Sequence, residues 1–257
     1  MKVTIIQTNL IWENKNENLA KLKETISGIA EDTDVIILPE MFSTGFTMNA
    51  KPMAESMTGN SIQWLKKIAA DKNCAITGSV IIEENGNYFN RLIWVTSDEI
   101  KSYNKRHLFS YAKEDETYSA GNSKLIVEYK DWKICLLICY DLRFPVWSRR
   151  TKSEDYDLLV YVANWPERRI YAWKNLLPAR AIENQSYVVG VNRIGNDGND
   201  VYHSGDSAVY GFTGEVLSKT QAHVESVETI DLNPEELKEF RKHFAFFQDG
   251  DKFEIKS

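Results

Sequence analysis

Apolar and polar positions along this chain follow two rhythms. KVTIIQT (2–8) reads as a strand. The next segment, ENLAKLKETISGIA, sets Leu19, Leu22, Ile26 and Ile29 on one face of a helix. TDVIILPE (33–40) is a continuous apolar run stopped by Pro39, the pattern of a strand covered on both faces. SIQWLKKIAAD (61–71) returns to helical spacing. Two strand-like runs, 74–84 and 88–98, flank Asn85-Gly86-Asn87, a hairpin signal. KLIVEY and WKICLLIC flank Lys130-Asp131 as a second hairpin. Between the two, residues 104–123 are polar and irregular.

The second half repeats the scheme. Residues 142–152 read as a short helix, and YDLLVYVAN (156–164) as a buried strand. A long helix is expected over 169–185, kinked or broken at Pro178, then a strand over 186–192. SAVYGFTGEVLSKT folds back around Thr213-Gly214, and HVESVETIDL is the last strand. NPEELKEFRKHF (233–244) starts a helix with Asn233 as N-cap and Pro234 at its first position. The tail carries Phe244, Phe246, Phe247 and Phe253 on a polar background, so it packs on a surface, its own or a partner's. No linker divides the chain. These signals predict an α/β fold with mixed sheets sandwiched between helices, as a single domain over 1–257.

Composition narrows the partners. The net charge of −6 offers no phosphate-tracking basic surface, so nucleic acid is not an expected partner. No window reaches about 18 consecutive apolar residues, so no membrane-spanning helix is expected. The first residues lack the apolar core and cleavage site of a signal peptide. Three cysteines do not make a disulfide framework, and a cytoplasmic protein is expected.

Cys139 holds the most chemically telling position. It ends a buried strand, where α/β folds place ligands, and helix-like sequence follows at once. N–H groups there would favour a thiolate and could hold an oxyanion. Cys74 and Cys135 lie within apolar strands and read as packing residues. The C-x3-C spacing of Cys135 and Cys139 is loose for zinc, and none of the four histidines forms a tight pair with a Cys or another His, so no metal site is expected. A thiol needs a base. His107 is one candidate, as in papain-like enzymes. Glu40, at the end of a buried strand, is another, because a carboxylate there is costly without a partner or a job. Lys105 ends the strand-like IKSYNK and opens the polar loop.

Taken together, PEMFSTGF with Glu40, YNKRHLF with Lys105 and ICYDLRFP with Cys139 resemble, in that order, the nitrilase superfamily of carbon–nitrogen hydrolases. The resemblance covers nearly the whole chain. It implies a four-layer α-β-β-α sandwich and a Glu-Lys-Cys triad carried by Glu40, Lys105 and Cys139. It also implies a further glutamate in the loop after the lysine. EDETYSAG points to Glu114, with Glu116 as the competing assignment. Glu40 would take the thiol proton and later activate water. Lys105 and the Tyr140 backbone N–H would hold the oxyanion, with Lys105 also favouring the thiolate. No metal or organic cofactor is required.

MFSTGFTM, CYDLRFPVWSR and YVANWPERR look most like the ω-amidase branch, which hydrolyses the terminal amide of 2-oxoglutaramate and related dicarboxylic acid monoamides. Another small amide is the alternative, such as a carbamoyl amine or a deaminated peptide amide. A nitrile fits less well. The free carboxylate of a monoamide calls for a cation, with Arg143, Arg168 and Arg169 as candidates. Phe42, Phe46 and Trp165 are candidate pocket walls, and Asn164 a candidate for orienting the site. The expected partners are a small amide, water and further copies of the same chain, since family members associate as dimers or larger. The tail 245–257 is a candidate for that contact.

Overall fold

The apolar runs pair into two sheets and a small ribbon. In the computed structural model, which describes residues 1–255, the strands in chain order are β1 (Lys2–Gln7), β2 (Val35–Ile37), β3 (Ala75–Glu84), β4 (Asn87–Val95), β5 (Ile100–Asn104), β6 (Leu125–Tyr129) and β7 (Trp132–Ile138). They continue with β8 (Leu158–Ala163), β9 (Tyr187–Asn192), β10 (Ile194–Asn196), β11 (Tyr202–Ser204), β12 (Ala208–Tyr210) and β13 (Ser226–Asp231). One sheet has the order β13-β1-β2-β3-β4-β5 and the other β12-β9-β8-β7-β6, while β10 and β11 pair alone. Each large sheet has a parallel centre, β1-β2-β3 and β7-β8-β9, with antiparallel strands at its flanks. The last strand, β13, closes against the first, β1.

Two-residue turns make the hairpins. Asn85 and Gly86 sit at φ 54° and 79°, and Lys130 and Asp131 at 48° and 64°, the left-handed pairs that such turns need. The fold-back expected around Thr213-Gly214 is weaker, with β12 followed by a single bridge from Tyr210 to Val216.

Period-two alternation decides which residue faces which layer. Val3, Ile5, Val35, Ile37, Leu92 and Trp94 face the second sheet. Their neighbours Ile6, Ile36, Leu38, Ile93 and Val95 face the opposite way, onto Leu19, Leu22, Ile26, Ile62 and Leu65 of the helices Lys15–Ser27 and Asn60–Lys72. Trp173, Leu177 and Ala181 of the helix Ile170–Asn184 join the core of the second sheet. The layers are helix, sheet, sheet, helix. The helix Ile170–Asn184 runs through Pro178 without a break. The short helix expected over 142–152 is instead a 3-10 turn, Cys139–Arg143, followed by one helical turn, Pro145–Ser148.

The described part of the tail lies on its own chain. The Phe247 ring sits 4.0 Å from the Arg150 guanidinium, and Phe246 lies 5.0 Å from Phe244. Phe244 and Phe253 stay exposed. The last two residues of the 245–257 tail lie outside the described ones. Among the described residues no helix is long and apolar enough to cross a membrane.

The contact between β9 and the long helix is close enough to test. A Cβ on Gly190 would lie 2.5 Å from Leu177 Cδ1 and 2.7 Å from Trp173 Cζ2. Gly190→Ala is therefore expected to destabilise the fold by about 1–3 kcal/mol. The denaturant midpoint reports it, and an unchanged midpoint would contradict this packing.

Candidate active site

Four chain segments deliver the site to one end of the two sheets. Glu40 lies just beyond β2, Lys105 follows β5, Cys139 follows β7 and Asn164 follows β8. Two of these corners need turned backbone. Cys139 sits at φ 44°, and so does Met41, next to Glu40. Non-glycine residues hold such angles only where their surroundings fix them. Asp141 fixes the cysteine corner. Its Oδ2 accepts from the Ile138 N–H at 3.0 Å and the Tyr103 hydroxyl at 2.8 Å. Its Oδ1 accepts from the His107 N–H at 3.1 Å. One buried carboxylate thus ties the Cys139 corner to the strand that ends in Lys105.

The centre of the site is an ion cluster. Lys105 Nζ donates to Glu40 Oε1 at 2.9 Å and to Glu114 Oε1 and Oε2 at 3.0 and 2.9 Å. Its side chain is 1% exposed and those of both glutamates 0%. Asn90 Nδ2 bridges the same two carboxylates at 2.8 and 3.1 Å. The Asn164 N–H donates to Glu40 Oε2 at 2.7 Å, and the Phe109 N–H to Glu114 Oε2 at 2.6 Å. Burial opposes the charge on Lys105, but Glu114, Glu40 and Cys139 outweigh it and raise its pKa above the usual lysine value. Burial also raises Glu114, against the pull of Lys105.

The Cys139 thiol shares the cavity lining with Glu40 and Lys105. Burial pushes its pKa well above the ordinary thiol value, and the Glu40 and Glu114 charges push the same way, with Lys105 opposing. Lys105 favours the thiolate, as expected, but the expected helix start is one short 3-10 turn and burial is the larger effect. Cys135, fully buried, is pushed up to about 12, and Cys74 up to about 11, in keeping with packing roles.

These groups form the floor of a cavity of about 600 Å³. Glu40, Lys105, Cys139, Tyr140, Arg143, Asn164 and Trp165 line it, and Phe46 lines it 5.2 Å from Lys105 Nζ. Phe42, expected as a wall, does not. It is fully buried between Leu38, Gly78 and Trp64, because its strand-end position turns it toward the helices and away from the opening. Of the two competing glutamates, Glu114 meets Lys105, while Glu116 points to solvent beside Lys113. His107 Nδ1 lies 2.8 Å from Asp141 Oδ1 and its ring stacks 3.8 Å from Phe144, outside the cavity lining, so it is not placed as a base for Cys139.

Three arginines stand along one wall. Arg143 lies 4.7 Å from the Trp165 ring, Arg169 4.9 Å from Phe109 and Arg168 6.0 Å from Tyr111. No carboxylate pairs with any of them among the described residues. Burial lowers the Arg169 pKa, and the charges of Arg168 and Arg143 lower it further, with Cys139 opposing. Sequence reasoning missed Asn90, Asp141, Glu13 and Asp197, the last two of which line the cavity. The one signal for Asn90 was a polar residue in the middle of an apolar strand. No grouping of three His, Cys, Asp or Glu side chains able to hold a metal ion occurs among the described residues.

A thiol, a carboxylate that can take its proton and a fixed cation on a cavity floor are what nucleophilic attack on a carbonyl needs. Comparison with known proteins agrees in class. The chain belongs to the carbon–nitrogen hydrolase family, whose model matches residues 2–242. It is 42% identical over 257 residues to the omega-amidase YafV of Escherichia coli K12, covering 99% of this chain and 98% of that one. It is 32% identical over 256 residues to the 2-oxoglutaramate amidase of Bacillus subtilis, covering 97% and 98%. The crystal structure of a CN-hydrolase superfamily protein from Xanthomonas campestris superposes with a TM-score of 0.96 at 40% identity, covering 100% and 99%.

Lys105 is the counter-charge for two buried carboxylates. Lys105→Met is expected to destabilise the fold by about 3–5 kcal/mol at neutral pH. Without the cation the folded-state carboxyl pKa values rise above their unfolded ones. The deficit should then shrink in acid, where both groups are protonated, and grow as pH rises through the carboxyl range. Urea titrations of both proteins between pH 4 and 8 measure it, and a pH-independent deficit would oppose the ion-cluster account.

Proposed function

We propose that this protein is an amidase that hydrolyses the terminal amide of a dicarboxylic acid monoamide of the 2-oxoglutaramate type. The observation that carries the reading is the juxtaposition in one cavity of Cys139, Glu40 and Lys105, with Glu114 paired to Lys105, and three arginines that lack an anionic partner. The names of the relatives at 42% and 32% identity support the same choice.

Glu40 takes the thiol proton as sulfur attacks the amide carbon. Proton transfer within the pair avoids a free buried thiolate, which the raised thiol pKa disfavours. Lys105 and the Tyr140 N–H receive the oxyanion. An N–H this early in a helical turn has no acceptor within it. The C–N bond breaks, nitrogen takes the proton from Glu40, and ammonia leaves a thioester on Cys139. Water, deprotonated by Glu40, then attacks the thioester, and the thiol regains its proton. Glu114, bridged to Glu40 by Asn90, holds Lys105 and keeps the ammonium fixed.

Of the three arginines, Arg169 is assigned the distal carboxylate. It lines the cavity half-buried, whereas its neighbour Arg168 is exposed. A substrate bearing an amine is the second reading, favoured by Glu13 and Asp197, which also line the cavity.

Ammonia release from 2-oxoglutaramate, 2-oxosuccinamate, a carbamoyl amine, a peptide amide and a nitrile is the test. The first two should be preferred, and preference for any other moves the assignment to the second reading or beyond. Glu40→Gln should lower kcat by about 10²–10⁴-fold, whereas His107→Ala should retain an active base. Arg169→Ala should lower kcat/KM about 10- to 100-fold for the monoamides but not for a neutral amide.

A further inference from the structure

The cavity floor holds one group that the mechanism leaves idle. Asn164 is 5% exposed and lines the cavity beside Glu40. Its backbone N–H is occupied by Glu40 Oε2 at 2.7 Å, and its Nδ2 donates to the Glu40 carbonyl oxygen at 2.5 Å. A carbonyl oxygen can only accept, so this bond fixes which way the amide is turned. Oδ1 is left on the other side, buried and with no partner. Several other buried side-chain polar atoms also lack partners, among them Asn90 Oδ1 and Arg193 Nη1, but Asn164 is the one of those residues that lines the cavity. A buried acceptor without a donor is costly, and such groups are kept where a ligand completes them.

We infer that Asn164 Oδ1 accepts a hydrogen bond from the –NH2 of the scissile amide, making Asn164 a catalytic residue that recognises the leaving nitrogen. The inference rests on the reading of the cavity as an amidase site, but not on the identity of the acid that carries the amide. The Asn164 backbone and side chain hold Glu40 from two directions, so the same residue positions both the proton carrier and the nitrogen that receives the proton. With one N–H directed at Oδ1, the nitrogen lone pair that forms in the tetrahedral intermediate is free to face Glu40. The C–N bond then breaks, nitrogen takes that proton, and ammonia departs while sulfur keeps the acyl group.

An ester of the same acid supplies the contrast. Its leaving oxygen carries no hydrogen, so it leaves Oδ1 unpaired in the wild-type protein as well. Amide and ester pass through the same thioester, so kcat/KM reports the acylation step, in which they differ. The experiment takes the best primary-amide substrate from the panel and its methyl ester, and compares wild type with Asn164→Ala. The expected result is a loss in kcat/KM about tenfold or more greater for the amide than for the ester, the loss common to both reporting the support of Glu40. Both substrates are measured on one preparation, so any loss of folded protein divides out of the ratio. If the alanine variant does not accumulate, Asn164→Ser carries the same expectation, since its hydroxyl is too short to reach the nitrogen. Equal losses on amide and ester would overturn the assignment and leave Asn164 as a support for Glu40 alone. A panel without monoamide preference would instead overturn the substrate assignment and leave this test in force.

Discussion

The buried ion cluster around Lys105 is the constraint on which the rest depends. One ammonium is held between two carboxylates with almost no solvent, at 2.9 and 3.0 Å. Taken singly, each of these charges would be expelled from the interior or neutralised. Together they are stable only while all the oxygens find donors. Asn90, the Asn164 N–H and the Phe109 N–H fill those places. The sandwich is what brings them together, because the donors come from β4, from the end of β8 and from the loop after β5.

That arrangement determines the chemistry available. The charges of two glutamates and the loss of water raise the Cys139 pKa, with Lys105 opposing. In the proposed mechanism the lysine that holds Glu40 in place also offers its charge to the oxyanion. Positioning is enforced from behind by Asp141, which links the turned backbone at Cys139 to Tyr103 and His107 on the segment bearing Lys105. The unpaired arginines support the proposed anionic substrate, and Asn164 is the acceptor proposed for its amide nitrogen.

Much of the architecture was legible in the chain. Continuous apolar runs such as VIIL and LLVYV mark strands covered on both faces, and Asn-Gly and Lys-Asp mark the two tight hairpins. The segment boundaries that failed are the ones where a tertiary contact overrides local preference. The stretch after Cys139 reads as helix, yet Asp141 draws its first residues into a 3-10 turn. Phe42 reads as a pocket wall, yet the turn at Met41 sends it into the core against Trp64. Asn90 was missed as a functional residue because a lone polar side chain in a strand is too weak a local signal to assign a role. Its meaning lies in what approaches from two other strand ends.

The sequence by itself determined the strands, helices and hairpins, because residue type and periodicity act locally, and its three motifs in order carried the resemblance that implied the family and the layer order. Only the tertiary structure decided which glutamate joins Lys105, which aromatic residues border the cavity and which acceptor remains without a donor. Those outcomes depend on distance and burial between segments far apart in the chain, and solvent exclusion, which sets the protonation of Cys139, exists only once the sheets have closed over it.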